Sequence, residues 1–86
     1  MSQQKILHRR QILGARGLLE MSQAELAVAA GVSVQALNAI ETGKSAPRLA
    51  TSDKIRDAFE RRGIEFTNGG EPGVKLRPSK AVIPVP

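Results

Sequence analysis

The sequence predicts a small, mainly helical domain of four to five helices that ends in a β-hairpin. The chain has 86 residues, the size of one domain. Apolar side chains recur at spacings of three and four up to residue 62, as expected for helices that bury one face. After Gly63 the spacing changes to two, which is typical of strands. We therefore expect helices first and a hairpin after them.

The first helix is predicted over residues 4–19, where apolar side chains alternate with lysine and arginine. Gly14 and Gly17 lie inside it, and each costs about 1 kcal/mol relative to alanine. Either they allow another helix to approach closely, or the helix frays after Arg16. His8 is expected to face solvent.

A second helix is predicted over residues 23–30. Ser22 and Glu25 form the capping-box pattern S-x-x-E at its start. Gly31 ends it, because glycine readily adopts the left-handed conformation found at helix C-termini.

A third helix is predicted over residues 34–42, with Leu37 and Ile40 facing inward and Gly43 ending it. Ser33 can cap its first turn. Two short helices that meet at a steep angle across a glycine turn form a helix-turn-helix. The second of the two is narrow enough to enter a DNA major groove, which is about 12 Å wide.

A fourth helix is predicted from a cap at Thr51 or Ser52 to about residue 62. The expected organisation is a helical domain over residues 1–62, with the helix-turn-helix at 22–43, followed by a hairpin and a tail. The hairpin spans residues 63–77. The tail, residues 78–86, holds three of the five prolines and is expected to be unordered rather than an extra edge strand.

The amino-acid composition argues against disulfide, metal and catalytic sites. There is no cysteine, one histidine, no tryptophan and no tyrosine, so we expect no disulfide, no metal site, no cofactor and no catalytic residue. No apolar run approaches the roughly 20 residues of a membrane span, and the amino terminus lacks the apolar core of a secretory signal. Cytoplasmic residence is the expectation. The net charge of +5 indicates an anionic partner.

The segment SQAELAVAAGVSVQALNAIETG, residues 22–43, resembles the lambda-repressor-like (Xre/Cro) family of DNA-binding regulators. The resemblance covers about residues 6–62. It implies the family's fold, in which the third of five helices contacts bases in DNA. This chain differs because the predicted hairpin replaces the fifth helix, which leaves the usual dimer contacts of that helix without a counterpart.

The third helix supplies the candidate base contacts. With Leu37 and Ile40 inward, its outward positions include two amides, which can hydrogen-bond adenine bidentately, and a valine, which can contact a thymine methyl group. The expected base contacts are Val34, Gln35, Asn38 and Ala39.

Contacts to the DNA backbone are expected around this helix, because the helix itself carries no cation. The resemblance implies a phosphate contact for Gln23, where the free N–H groups of a helix N-terminus also favour an anion. The complete expected set is Gln23, Ser33, Thr42, Lys44, Arg48, Arg9 and Arg10.

Two further roles are predicted. The resemblance implies a partly buried ion pair between Arg16 and Glu41, which would fix the third helix on the first. One recognition helix contacts too few base pairs for genomic selectivity, so a homodimer on an inverted repeat is expected. Its interface is predicted at the hairpin, whose strand edges would pair with those of a second copy in a four-stranded sheet, unless the hairpin packs on the fourth helix of its own chain. The buried face of that sheet would consist of Ile64, Phe66, Val74 and Leu76.

The predicted function is a sequence-specific double-stranded DNA-binding transcription regulator, a small repressor or autoregulatory controller of bacterial or phage type. It would act by occupying a site, and a contact with RNA polymerase is a further expectation. The alternative from the same residues is a protein-interaction module, an antitoxin-like or antiactivator adaptor on a helix-turn-helix fold.

Overall fold

Four α-helices and a two-stranded antiparallel hairpin form the part of the chain that the computed structural model describes, residues 6–67 and 71–83. The predicted fold class is confirmed. The elements in chain order are α1 (Arg9–Leu19), α2 (Gln23–Ala30), α3 (Val34–Glu41), α4 (Leu49–Glu60), β1 (Ile64–Thr67), β2 (Gly73–Leu76) and a 3₁₀ turn (Pro78–Lys80).

The core consists of aliphatic side chains and one phenylalanine, which agrees with the scarcity of aromatic residues. α2 packs against α3 and α4, while α1 packs against α3 and β2. The largest fully buried apolar side chains are Phe59, Ile12, Leu19, Leu26, Leu37, Ile55 and Ile64.

α1 begins at Arg9, later than predicted, and residues 4–5 lie outside the described residues. His8 is exposed, as expected, but it caps the helix, because its Nδ1 accepts a hydrogen bond from the backbone N–H of Arg10 at 3.1 Å. The His8 backbone N–H in turn donates to Oε1 of Gln11 at 2.9 Å. The helix continues past both glycines to Leu19, so it does not fray after Arg16.

α4 also differs from the prediction, because it starts at Leu49 rather than after a cap at Thr51 or Ser52. Ser52 lies within its first turns and is completely buried. The Ser52 hydroxyl accepts a hydrogen bond from the backbone N–H of Leu7 at 2.9 Å. This polar side chain therefore satisfies a buried donor from another part of the chain instead of capping its own helix.

The hairpin packs on its own chain. Phe66 lies edge-on to Phe59 of α4, with ring centroids 6.0 Å apart. A Cβ placed on Gly14 of α1 would come within 3.2 Å of Val74 Cγ2, so β2 lies directly against that glycine. The buried side chain of Gln11 holds the loop end of the hairpin, because its amide nitrogen donates to the carbonyl oxygens of Thr67 and Gly73.

This packing covers the apolar face of the hairpin within one chain, and edge pairing of two hairpins stays a prediction. Ile64 is only 2% exposed within a single chain, and Phe66, Val74 and Leu76 pack against the same core. The physical reason is that a two-stranded sheet is marginal alone and gains most by covering a helix surface that is already present. β1 packs on α4, as the alternative stated, whereas β2 packs on α1.

In the tail, Pro78–Lys80 form a 3₁₀ turn and the described residues extend to 83; residues 84–86 lie outside the described residues. The Val82 backbone N–H donates to the carbonyl oxygen of Arg61 at 2.7 Å.

Lys80 and Arg77 both pair with the carboxylate of Glu65, at 3.1 and 2.9 Å. The hydrogen bond from Lys80 is the main cause that lowers the pKa of Glu65. This contact stabilises the fold above the carboxylate's ordinary pKa and is lost as the pH falls through the lowered one.

Gly63 joins α4 to the hairpin at a point where only glycine fits. Its φ is +92°, and a Cβ there would lie 2.5 Å from the carbonyl oxygen of Arg77. Gly31 has a similar φ of +71°, but a Cβ there would meet nothing within 4 Å.

We expect Gly63→Ala to lower the free energy of unfolding by about 3 kcal/mol or more, because backbone strain and a collision with backbone act together. Gly31→Ala, the control, carries the strain alone and should lose about 1 kcal/mol. Urea unfolding followed by circular dichroism measures both. Equal losses in the two variants would contradict the packing of the hairpin described above.

Candidate nucleic-acid interface

One face of α3 is exposed and its opposite face is anchored in the core. Leu37 and Ile40 are buried, at 0% and 4% exposure, as predicted. Gln35 and Asn38 are exposed, and Val34 is 42% exposed. The two amides therefore project from the protein surface on a helix whose opposite face packs in the core.

The helix is capped at its start, since the Ser33 hydroxyl accepts the backbone N–H of Ala36 at 3.0 Å. At its end the Thr42 hydroxyl donates to the carbonyl oxygen of Asn38 at 2.8 Å. Both hydroxyls thus form local hydrogen bonds at the helix ends while remaining exposed. Ala39 is only partly exposed and presents less surface than the other predicted base contacts.

A tight turn follows the end of α3, and the loop after it contains two cations. Gly43 has a φ of +81°, and the backbone N–H of Lys44 returns to the carbonyl oxygen of Ala39 at 2.9 Å. Lys44 therefore follows directly after the exposed helix, and both Lys44 and Arg48 are exposed.

Glu41, the last residue of α3, is a buried carboxylate at 4% exposure. Arg16 of α1 pairs with it bidentately: Nη2 lies 2.8 Å from Oε1, and Nε lies 2.9 Å from Oε2. The same guanidinium donates through Nη1 to the carbonyl oxygen of Met21 at 2.9 Å. The hydrogen bond to Glu41 raises the pKa of Arg16. Arg16 thereby joins α1, the turn before α2 and the end of α3.

Gln23, the first residue of α2, faces α3. Its amide nitrogen donates to Oε1 of Glu41 at 3.0 Å and lies 3.4 Å from Oδ1 of Asn38. The predicted phosphate contact and one predicted base contact are therefore neighbours, 15 residues apart in the chain. No pattern of local spacing reports such a contact.

The two arginines at the start of α1 differ in their surroundings. Arg9 is partly buried, and its Nη1 lies 3.4 Å from the backbone carbonyl oxygen of Glu41, beside Gly43. A cation at the C-terminus of α3 is favourable for the helix dipole. Arg10 is exposed. Contact with the DNA backbone by either arginine stays a prediction. Arg10 is the more exposed of the two.

Three polar side chains have positioning roles that the sequence reasoning missed. Gln11 holds the hairpin, Ser52 accepts a buried N–H, and Arg56 is buried with its guanidinium 5.4 Å from the ring centre of Phe66. The pair His8 and Gln11 follows the spacing of a capping box, which could have located the start of α1.

An open cleft of about 600 Å³ lies where the start of α1, the end of α3 and the loop after it meet. Its lining includes Leu7, Gln11, Ile40 and Pro47. Its lining is mostly apolar. Within residues 6–67 and 71–83, no group of three or more His, Cys, Asp or Glu side chains could hold a metal ion. In the same part of the chain every helix is too short or too polar to cross a bilayer.

Comparison with known families matches residues 13–66, well over half of the chain, to a family model described as Helix-turn-helix. The matched region contains all of α2, α3 and α4. No curated protein matches the sequence.

We expect Arg16→Met to lower the free energy of unfolding by about 3 kcal/mol, because it leaves the buried carboxylate of Glu41 without its cation. The double variant Arg16→Met with Glu41→Leu should recover most of this loss, since no uncompensated charge remains. Urea unfolding gives both values. The control is Arg77→Met, which removes an exposed pair and should leave the unfolding midpoint nearly unchanged. A double variant as unstable as the single one would contradict this account.

Proposed function

The chain belongs to the lambda-repressor-like (Xre/Cro) helix-turn-helix family of DNA-binding regulators, and on that basis we propose that it regulates transcription by binding a specific double-stranded DNA sequence. The family is generally non-enzymatic. The observation that carries the proposal is the exposed face of α3, which presents the amides of Gln35 and Asn38 while its other face is buried.

In the proposed complex the N-terminal part of α3 enters the major groove. An amide can accept from N6–H and donate to N7 of one adenine, so Gln35 and Asn38 suit A·T pairs. Val34, 42% exposed at the start of the helix, suits a thymine methyl group. Ala39 contributes at most an apolar contact. The direct recognition therefore concerns a few A·T-containing positions in each half-site.

Affinity comes from residues outside this helix. Lys44 and Arg48 in the following loop, and Arg10 at the start of α1, are exposed cations suited to phosphates. Gln23 lies at the N-terminus of α2, where backbone N–H groups favour an anion. The side chains of Gln23, Ser33, Thr42 and Arg9 are weaker candidates than these cations, because each already forms a contact within the protein.

We further propose that two copies bind an inverted repeat, with half-sites about one helical turn, ~34 Å, apart. Occupying such a site suffices for a small repressor or an autoregulatory controller, since it competes with RNA polymerase for promoter DNA. A surface contact with polymerase would give activation instead. The proposed setting is the bacterial cytoplasm, on cellular or phage DNA.

Selection of bound sites from a random duplex library tests the proposal. We expect an enriched inverted repeat with A·T pairs at the positions nearest Gln35 and Asn38. Enrichment of no sequence, with retention that salt abolishes for all duplexes alike, would contradict it. That result would favour a protein-interaction module whose positive charge is incidental.

We expect Gln35→Ala to lose about 1–3 kcal/mol of binding free energy on the selected site and to relax the preference at one base pair. Binding to duplexes altered at that pair should change little. Fluorescence anisotropy with the selected duplex and its three single-pair alternatives measures this. A uniform loss on all four duplexes would contradict a base contact.

We expect Lys44→Ala to weaken binding equally on every sequence and to reduce the slope of log K against log salt by about one unit. The reason is that one phosphate contact, with its released counterion, is removed. Lys75→Ala is the matched control, because Lys75 is an exposed lysine on β2. It should leave both affinity and slope nearly unchanged. Equal slopes for the two variants would contradict the assigned contact.

A further inference from the structure

An open, mostly apolar cleft of about 600 Å³ lies where the start of α1, the end of α3 and the loop after α3 meet, and we call it the α1–α3 cleft. Small-molecule sites have volumes of about 300–1,000 Å³ and combine an apolar lining with a few polar groups. Ile6, which lines this cleft, is 50% exposed, so part of its apolar surface is not covered by the described chain. The other apolar side chains of the lining are Leu7, Ile40, Ala46, Pro47 and Pro72.

The charge in this lining has one sign. Among the described residues that line the cleft, Arg9 is charged and none is an aspartate or a glutamate. Nη1 of Arg9 lies 3.4 Å from the carbonyl oxygen of Glu41. A guanidinium has five N–H donors, so Arg9 can keep this long contact and still donate to a carboxylate. An anion that enters the cleft therefore meets a partly buried cation and no like charge in the lining.

His8 adds a second donor to the same lining. Its Nδ1 accepts the backbone N–H of Arg10 at 3.1 Å, which leaves the ring proton on Nε2. The amide of Gln11, by contrast, is used at both ends within the protein, by His8 and by the hairpin. The guanidinium and the imidazole N–H are both donors, which suits a carboxylate and not an ammonium group.

We propose that the α1–α3 cleft binds a small molecule with an apolar body and one carboxylate. The apolar body packs against Ile6 and Ile40, and the carboxylate accepts from Arg9. The first five residues of the chain are a poorer occupant, because Met1 is their one apolar side chain and Lys5 and the α-amino group are cations.

A ligand in this cleft opposes DNA binding, and this consequence rests on the proposed function. The loop between α3 and α4 supplies residues 43 and 45–47 of the lining, and the same loop carries Lys44 and Arg48, which are proposed to contact phosphates. A bound carboxylate occupies Arg9 and adds a negative charge next to this loop. The ligand and the phosphates therefore compete for positive charge, which gives the two sites a negative coupling.

Titration of the isotope-labelled full chain with octanoate, followed by NMR, tests the site without DNA. Octylammonium has the same apolar chain with the opposite charge, and acetate has the same charge without the chain. We expect the amide signals of lining residues such as Gln11 and Gly43 to shift saturably with octanoate, at a dissociation constant of about 1 mM or lower. Octylammonium and acetate should bind at least about tenfold more weakly.

Equal binding of octanoate and octylammonium, or shifts that map outside the lining, would overturn the site. A preference for octylammonium would overturn it as well, and would fit a cationic occupant such as the chain's own first five residues.

Arg9→Gln and a matched control, Arg61→Gln, test the carboxylate contact. Arg61 is an exposed arginine after α4 and lies outside the lining. We expect Arg9→Gln to weaken octanoate binding about tenfold, because a charge-assisted hydrogen bond is lost, and Arg61→Gln to leave it within about twofold. Arg9→Lys keeps the charge and should retain octanoate binding better than Arg9→Gln. Circular dichroism confirms that the variants are folded. Octanoate binding by Arg9→Gln at the wild-type level would overturn the assigned contact.

The effect on DNA is measured separately, by fluorescence anisotropy with the selected duplex in octanoate and in the same concentration of acetate. We expect saturating octanoate to weaken DNA binding at least about fivefold relative to acetate. Unchanged DNA affinity, with the cleft occupied, overturns the coupling. If the DNA selection enriches no sequence, the proposed function fails, whereas the octanoate titration still decides whether the cleft is a binding site.

Discussion

Glu41 is a carboxylate buried at the end of α3, and the position of that helix depends on keeping this charge paired. Arg16 satisfies both of its oxygens, Gln23 adds a second hydrogen bond to one of them, and Arg9 approaches the backbone carbonyl of the same residue. A buried charge without partners is strongly unfavourable, so α1, α2 and α3 are held in one relative arrangement. The direction in which Gln35 projects follows from that arrangement.

The same cluster connects the parts of the surface assigned to DNA. Gln23 contacts the carboxylate that anchors α3 and also lies beside Asn38 on its exposed face. The side chain of Gln23 therefore links the amino terminus of α2 to the amide of Asn38, which is proposed to contact a base. In the proposed complex, base contacts and phosphate contacts fall to different residues, because α3 carries no cation. The exposed cations proposed to contact phosphates are Lys44 and Arg48 after α3 and Arg10 on α1.

The hairpin completes the core of this small domain. Ile64 and Phe66 extend the apolar cluster beyond α4, and Gln11 ties the far end of the hairpin to α1. A two-stranded sheet has too little buried surface to fold alone. Placing its apolar face against the helices stabilises both parts.

The sequence by itself determined the number and order of the elements, because capping residues, glycine stops and the change from helical to strand spacing are local signals. Ser22 and Gly31 mark boundaries that depend on nothing beyond a few neighbours. Tertiary structure alone decided what distant residues satisfy: Ser52 accepts an N–H from residue 7 instead of capping α4, the hairpin faces inward, and Gln23 meets Asn38. These outcomes depend on which buried polar and apolar groups become neighbours when the chain folds. Local sequence spacing does not indicate those neighbours.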